Sequence, residues 1–245
     1  MQPHRFPCAS LALFIGLLAS LAGPARSAPP ALSAVNAVVR LPSHGASATV
    51  IHTQKERTLL LGCGHAFIGV DRARPIEIDG PDAPRGPASL LACDYQLDLS
   101  LIEVRAGPVR FVAPVAGASF RPSGRLLSVG YDEMKTPATC QTASIVGSAD
   151  RLTFTRERPW HGRSGGALLD ADAGLLIGVV QGYETAPPWR GLYTSHAAII
   201  RFLRQNGWKT VSSRQNTVGS PPPPAFCLLL SAFCLLPPTG SSPHT

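Results

Sequence analysis

The sequence predicts an all-β protein built from many short strands, and three observations carry that reading. Glycine and proline number 23 and 24 among 245 residues, which favours frequent turns over long helices. Short apolar segments with strand-like alternation recur along the chain, separated by Gly, Pro and Asp-rich punctuation. One amphipathic helical pattern occurs in the globular part, and it comes late. The length suits one large domain or two small ones sharing an interface, with enough chain to bury a sizeable core.

Taken in order, the chain opens on His4 and Arg5, an apolar run over 11–22 and small residues at Ala25 and Ser27. That is the layout of a secretory signal peptide cleaved near residue 27, and it predicts an exported, periplasmic or secreted protein. The apolar run is too short for a comfortable membrane span, so no integral span is expected. Residues 46–52 alternate as a strand, 53–57 turn, and 58–61 return, which reads as a hairpin delivering Gly62-Cys63-Gly64-His65 at a strand end. Further strands are expected over 74–79, 90–95, 99–104, 109–115, 125–130, 139–146 and 151–155. Residues 167–169 and 175–180 flank Asp170-Ala171-Asp172-Ala173-Gly174, a hairpin signal. A last strand over 191–194 leads at Ser195 into a helix whose apolar residues Ile199, Ile200 and Leu203 share a face, with a stop at Gly207. The domain is therefore read as 28–212, with an internal boundary near 110–122. Beyond it, 213–245 is a Pro-rich tail in which Ala-Phe-Cys-Leu-Leu occurs at 225 and again at 232, read as a low-complexity extension.

The formal net charge is +7, but the basic residues are scattered and none cluster with aromatics, so the charge reads as a solvated surface and no nucleic-acid partner is expected. Cys63, Cys93 and Cys140 fall in the globular part. An odd number leaves at least one without a partner inside that body, and the sequence does not assign a bridge. Cys63-Gly64-His65 resembles half a metal site, yet no second close Cys/His pair completes it, so neither metal nor cofactor is expected.

The chemistry centres on Gly162-Arg163-Ser164-Gly165-Gly166. Glycines beside a serine allow close backbone approach and positive φ, as a nucleophilic hydroxyl needs if neighbouring amides are to face one developing oxyanion. Acyl transfer by serine also requires a base and a carboxylate to orient it. His65 at a strand end and Asp98, which interrupts an apolar stretch and needs a partner there, are the candidates; Asp94 is a nearby rival for the carboxylate. The order His, Asp, Ser argues against the elbow serine of α/β-hydrolases, which follows a buried strand, opens a helix and precedes its acid and its histidine. Here a polar segment precedes Ser164 and a hairpin follows, while His196 is explained as part of the late helix.

Gly64-His65-Ala66-Phe67, Asp98-Leu99-Ser100-Leu101-Ile102, Gly162-Arg163-Ser164-Gly165-Gly166 and Gly178-Val179-Val180-Gln181-Gly182 resemble, in order, the four signatures of trypsin-like (chymotrypsin-fold) serine peptidases of the compact bacterial type. The resemblance covers about residues 38–206. It implies two perpendicular six-stranded antiparallel β-barrels with the site between them and a short C-terminal helix. It further implies His65 as general base, Asp98 as its orienting carboxylate and Ser164 as nucleophile. The amides of Gly162 and Ser164 would form the oxyanion hole, and Val180, Gln181 and Gly182 would pair with the backbone of a polypeptide substrate.

This chain departs from the pattern in three places. Members activated by propeptide cleavage carry an aspartate before the serine, which pairs with a freed N-terminus; Arg163 stands there instead and rules out that switch. Cys63 and Gly64 replace the usual small residues before the histidine. By the resemblance, residues 156–160 would line the primary specificity pocket without an aspartate, so a preference for basic residues is not expected; Arg158 or Arg163 either favours an acidic residue or simply faces solvent. The cation of Arg163 beside the nucleophile also supports an alternative, a catalytically inactive member that binds polypeptide.

Overall fold

The computed structural model describes residues 30–71 and 74–208. The signal peptide read over 1–27 and the tail read over 213–245 lie outside the described residues. A short helix α1 (Pro30–Asn36) leads into β1 (Val38–Leu41), β2 (Ala46–Gln54), β3 (Arg57–Gly62), β4 (Ala88–Asp94) and β5 (Leu99–Val104), which form one antiparallel sheet in the order β1-β2-β3-β5-β4. The second sheet contains β6 (Leu126–Gly130), β7 (Thr139–Ala143), β8 (Ile145–Ser148), β9 (Leu152–Thr155), β10 (Ala167–Asp170), β11 (Leu175–Tyr183) and β12 (Gly191–Ser195), in the order β7-β6-β10-β11-β12-β9-β8. Helix α2 (His196–Gln205) follows β12 directly. Among the described residues no helix is long and apolar enough to cross a membrane.

The all-β reading holds, with five and seven strands among the described residues where six and six were expected. Residues 74–79 contribute one bridge, Asp79 to Arg40, because Pro75 has no N–H to give a ladder. The segment 109–115 is not a strand. Its amides at Arg110 and Phe111 go to the Asp82 carboxylate (2.5 and 3.1 Å) and that of Ala113 to the Val50 carbonyl (2.9 Å), leaving a single bridge from Val115 to Leu176. The stretch expected as one strand over 139–146 is instead split at Ser144, whose amide and hydroxyl both donate to the Glu157 carboxylate (2.6 and 2.9 Å). Its first half pairs with β6 and its second with β9, so the two ends of the sheet are neighbours in sequence and the sheet curls back on itself. The sequence reading missed α1 and β1, which are seven and four residues long and too short to show a period.

Burial explains how the sheets meet. In β10, Ala167 and Leu169 join a core that also takes Leu59, Leu61 and Leu101 from the first sheet, while Leu168 points the other way, into a second cluster with Ile177, Val180 and Tyr193. Alternation along a strand thus serves two cores, one between the sheets and one inside the curl. Helix α2 is capped by the Ser195 hydroxyl, which accepts from the Ala198 amide (3.2 Å), and it buries Ile199, Phe202 and Leu203 in the shared core before Gly207 ends it at φ +80°. Among the described residues the Asp170-to-Gly174 hairpin is tied by the buried Asp170 carboxylate, which accepts from the amides of Ser123, Asp172 and Ala173.

Because Leu169 is fully buried where the two sheets meet, Leu169→Ala should cost about 2–5 kcal/mol. It should also lower the midpoint of a single transition common to both sheets. Denaturant unfolding followed by far-UV circular dichroism and by tryptophan fluorescence checks this; two separated transitions would show that the sheets unfold independently.

Candidate active site

Register brings the first two candidate residues together. Gly62 of β3 pairs with Ser100 of β5, so the chain leaving β3 and the chain entering β5 run side by side at one end of the sheet. His65 lies three residues after Gly62 and Asp98 two before Ser100. Gly64 lies so close to the neighbouring turn that a Cβ there would come within 3.0 Å of the Asp94 carbonyl oxygen and 3.2 Å of the Leu99 amide, which explains why glycine precedes the histidine. Asp98 itself is in the left-handed region at φ +53°. That conformation turns its carboxylate back over the short helical turn His65–Phe67.

The Asp98 carboxylate accepts from the His65 backbone amide through Oδ1 (2.7 Å) and from Nδ1 of the ring through Oδ2 (2.8 Å). Ring and backbone are therefore fixed by one side chain, and Nε2 is the ring nitrogen left without a carboxylate partner. In the resting arrangement Nε2 lies 3.7 Å from the Cys63 sulfur. The bond to Asp98, and then that to Cys63, raise the imidazole pKa from 6.5 to about 10 against the opposing effect of partial burial. The ring is 43% exposed, so solvent screens much of this interaction. The sign for stability follows: the contribution is complete below pH 6.5, where the ring is charged in both states, and is lost as pH rises from 6.5 through about 10. Asp94 is not a rival. Its Oδ1 accepts from the amides of Gln96 and Leu97 (both 2.9 Å) and closes the turn that presents Asp98. His196 is also accounted for, with Nε2 against the Ala116 carbonyl at 2.8 Å.

Ser164 comes from the other sheet, just before β10. Its hydroxyl donates to the Gln181 carbonyl (3.1 Å), so Ser164 and His65 are not hydrogen-bonded to each other in this arrangement. The loop is nevertheless clamped to the first sheet by Ser47 of β2. The Ser47 amide donates to the Ser164 carbonyl (2.8 Å), and its hydroxyl donates to the Gly162 carbonyl (2.9 Å) while accepting from the Tyr131 amide (3.0 Å). Gly165, at φ +83°, packs so tightly that a Cβ would run into the Ser47 carbonyl, which is why glycine follows the serine.

The carbonyls of the loop decide where its amides point. The His161 carbonyl accepts from the Glu133 amide (2.6 Å) and the Arg163 carbonyl from the Gly166 amide (2.8 Å). In a trans peptide the C=O and the following N–H point in opposite directions. The amides of Gly162 and Ser164 are consequently turned away from these inward partners, and neither donates to a protein acceptor among the described residues. Two such donors beside a serine hydroxyl form an arrangement able to stabilise negative charge on a substrate oxygen.

Arg163, expected to stand beside the nucleophile as an exposed cation, is instead 2% exposed and turned inward. Its Nε and Nη2 donate to the two oxygens of Asp132 (2.7 and 2.6 Å), Nη2 also to the Thr139 hydroxyl (2.7 Å), and Nη1 to Ser128 and Gln141 (3.2–3.3 Å). It is spent on the fold and unavailable to a substrate. Arg158 is exposed, with its guanidinium 3.4 Å from the centre of the Tyr183 ring.

Of the residues expected to meet a substrate strand, Val180 has both backbone groups engaged, its amide with the Gly166 carbonyl and its carbonyl with the Gly165 amide (2.9 and 2.7 Å). Pairing with β10 ends at Val179. Gln181 and Gly182 lie beyond it; Gly182 pairs with Leu192 of β12, and Gln181 is the extra residue of the bulge between Val180 and Gly182. The Gln181 side chain is anchored to the Thr194 hydroxyl (2.9 Å). Sequence reasoning missed Ser47 and the turn bearing Asp132; a buried arginine beside a nucleophile, once suspected, would have called for an acidic partner. Among the described residues no group of three or more His, Cys, Asp or Glu side chains is placed to hold a metal ion.

Comparisons with known proteins agree with this architecture. A family model described as a trypsin-like peptidase domain matches residues 46–179. Among solved structures, the HtrA-type protease AlgW with a decapeptide superposes with a TM-score of 0.59 at 19% identity, over 72% of this chain and 66% of that one. The serine endoprotease from Yersinia pestis gives 0.59 at 18% identity, over 75% and 68%. AlgW with a tripeptide gives 0.57 at 20%, over 73% and 64%. The chain thus spans slightly less than two thirds of the AlgW chains, and at these identities the likeness is one of fold. No match was found among curated proteins.

Since Cys63 is the second cause of the raised His65 pKa, Cys63→Ala should lower the titration midpoint of His65 while leaving it above 6.5, because Asp98 remains. Imidazole resonances followed by NMR across pH 5–11 measure this; an unchanged midpoint would show that the sulfur contributes nothing.

Proposed function

The chain belongs to the trypsin-like peptidase family, and from that premise we propose that it is an exported serine endopeptidase that hydrolyses peptide bonds through an acyl-enzyme. The observation that carries this reading is the inward binding of the His161 and Arg163 carbonyls, which leaves two amides outward beside the Ser164 hydroxyl. Export rests on the leader read over residues 1–27. A polypeptide substrate is supported by the family and by the peptides bound to AlgW. The two sheets correspond to two six-stranded barrels if 139–148 is counted as one kinked strand and 74–79 as a strand reduced to its bridge.

In the proposed reaction Ser164 Oγ leaves the Gln181 carbonyl and gives its proton to Nε2 of His65 as it attacks the substrate carbonyl carbon. Nε2 must be neutral to take that proton, so the step is favoured toward alkaline pH by the raised His65 pKa. Asp98 holds Nδ1–H and stabilises the imidazolium that forms. The amides of Gly162 and Ser164 receive the oxyanion, and His65 returns the proton to the leaving amine. Water, deprotonated by the same nitrogen, then releases the acyl group. The substrate backbone adds along the free side of Gln181 and Gly182; Val180 supports this edge from within the sheet.

A second reading, a polypeptide-binding module without catalysis, is favoured by one observation: Ser164 and His65 each bond elsewhere. A fluorophosphonate separates the two. The parent should label at Ser164, Ser164→Ala should not label at all, and His65→Ala should label at least a hundredfold more slowly. A folded parent that resists labelling from pH 7 to 10 would leave the binding module as the function.

A further inference from the structure

We propose that the Arg163–Asp132 ion pair is a resident positioning device for the oxyanion loop, so that the site's order is built into the folded chain and not supplied by a freed N-terminus or a bound activator. The proposal rests on the peptidase reading above and concerns how that site is held.

Arg163 lies between the two outward amides. Its carbonyl and the Ser164 amide belong to one peptide, so the direction of its side chain bears directly on that amide, while the Gly162 amide lies one peptide back and is set by the bond of the His161 carbonyl to the Glu133 amide of the same turn. That side chain is drawn inward by five hydrogen bonds to protein acceptors besides the backbone of Ser128, and two of them close a bidentate pair with Asp132. Asp132 is itself held, accepting from the Thr139 hydroxyl at 2.6 Å. The same turn makes two more contacts with the loop. Glu133 donates its amide to the His161 carbonyl, and the Tyr131 amide reaches Gly162 through the Ser47 hydroxyl. Gly162 is fitted to this turn so closely that a Cβ would come within 2.9 Å of the Met134 amide and 3.1 Å of the Glu133 amide. Turn and loop are therefore one unit, and the ion pair links them with charge-assisted bonds.

The geometry also explains why the turn keeps an expensive backbone. Glu133 and Met134 are both left-handed, at φ +49° and +58°, a conformation that non-glycine residues adopt only when their surroundings over-determine it. Here it aims the Asp132 carboxylate at Arg163 and the Glu133 amide at His161 together. The guanidinium is buried whereas the Asp132 side chain is 21% exposed, so the acid is the partner that can be changed without opening a core.

The test is Asp132→Asn, which keeps size and removes the charge, beside Arg163→Lys, which keeps the charge and loses the bidentate fit. Arg163→Met is avoided because it strips Asp132, Thr139 and Gln141 of their shared partner in the core. For Asp132→Asn, kcat on a peptide substrate should fall at least a hundredfold with KM within threefold, since the substrate edge at Gln181 and Gly182 is untouched. Arg163→Lys should retain more of kcat than Asp132→Asn. Amide hydrogen exchange should accelerate at least tenfold over 131–135 and 160–166 and stay unchanged in β2, β3 and β5. An N-terminal tag on the parent should leave kcat within twofold. The proposal is overturned if Asp132→Asn keeps kcat within threefold, if exchange accelerates across both sheets alike, or if the tag lowers kcat tenfold. Should the parent fail to label with a fluorophosphonate, the peptidase reading falls, and hydrogen exchange alone decides whether the pair holds the loop: acceleration confined to 131–135 and 160–166 sustains it, and unchanged exchange there overturns it.

Discussion

A loop can offer two adjacent amides to a ligand only if the carbonyls of the same peptides are bound on its other side. That constraint organises this molecule. The His161 and Arg163 carbonyls need donors, and these come from Glu133 and from Gly166 within the loop. Buried carbonyls without donors would carry a desolvation penalty of about 1–3 kcal/mol each, enough to favour a rotated peptide that buries the amide instead. The turn after β6 therefore supports the loop as much as the loop's own bonds do.

The remaining geometry follows from where strands end. His65 and Asp98 meet because β3 and β5 are antiparallel neighbours, and a residue leaving one faces a residue entering the other. Ser164 is held to the first sheet in a different way, at a junction between the sheets. Ser47 sits beside Ala48, which pairs with Gly62, so the clamp on the Ser164 carbonyl lies one register step from the strand that delivers His65. Any shift of the sheets would have to break that clamp and disturb the shared core around Val129, Ala167 and Val179. Interdigitated side chains of this kind resist sliding because displacement leaves voids or overlaps on both sides.

Much of this was legible in the sequence, and the parts that were not share a cause. Glycines at 64, 162, 165 and 166 mark places where backbone meets backbone, and they flank the histidine and the serine that the sequence singled out. Asp98 was legible as a polar residue breaking an apolar stretch. Asp132 was not, since it lies 31 residues from Arg163 in an irregular turn, and nothing local distinguishes it from a solvated acid. Arg163 misled for the same reason: a cation beside a nucleophile reads as exposed until its partner is known. The segment 109–115 looked like a strand because its side chains are apolar, but its amides are consumed by Asp82 and Val50. Side-chain pattern predicts burial, whereas strand formation depends on where the backbone hydrogen bonds go.

In the proposed reaction, the resting bonds of Ser164 to Gln181 and of His65 to Cys63 would have a bounded effect. Each is a single hydrogen bond at the edge of a half-exposed cleft, and such bonds contribute a net ~0.5–1.5 kcal/mol. Releasing both costs about 1–3 kcal/mol, or roughly five- to two-hundredfold in rate, against the ~8–23 kcal/mol by which enzymes lower their barriers. The arrangement therefore slows such a site without abolishing it. In the proposed reaction the proton on His65 would oppose the step at neutral pH, and its main source is Asp98, the residue that also fixes the ring. Orientation and basicity are set by one carboxylate. Strengthening that pair aligns Nε2 better and, in the same step, makes the neutral base scarcer, so the rate gained from geometry is limited by the proton that the geometry retains.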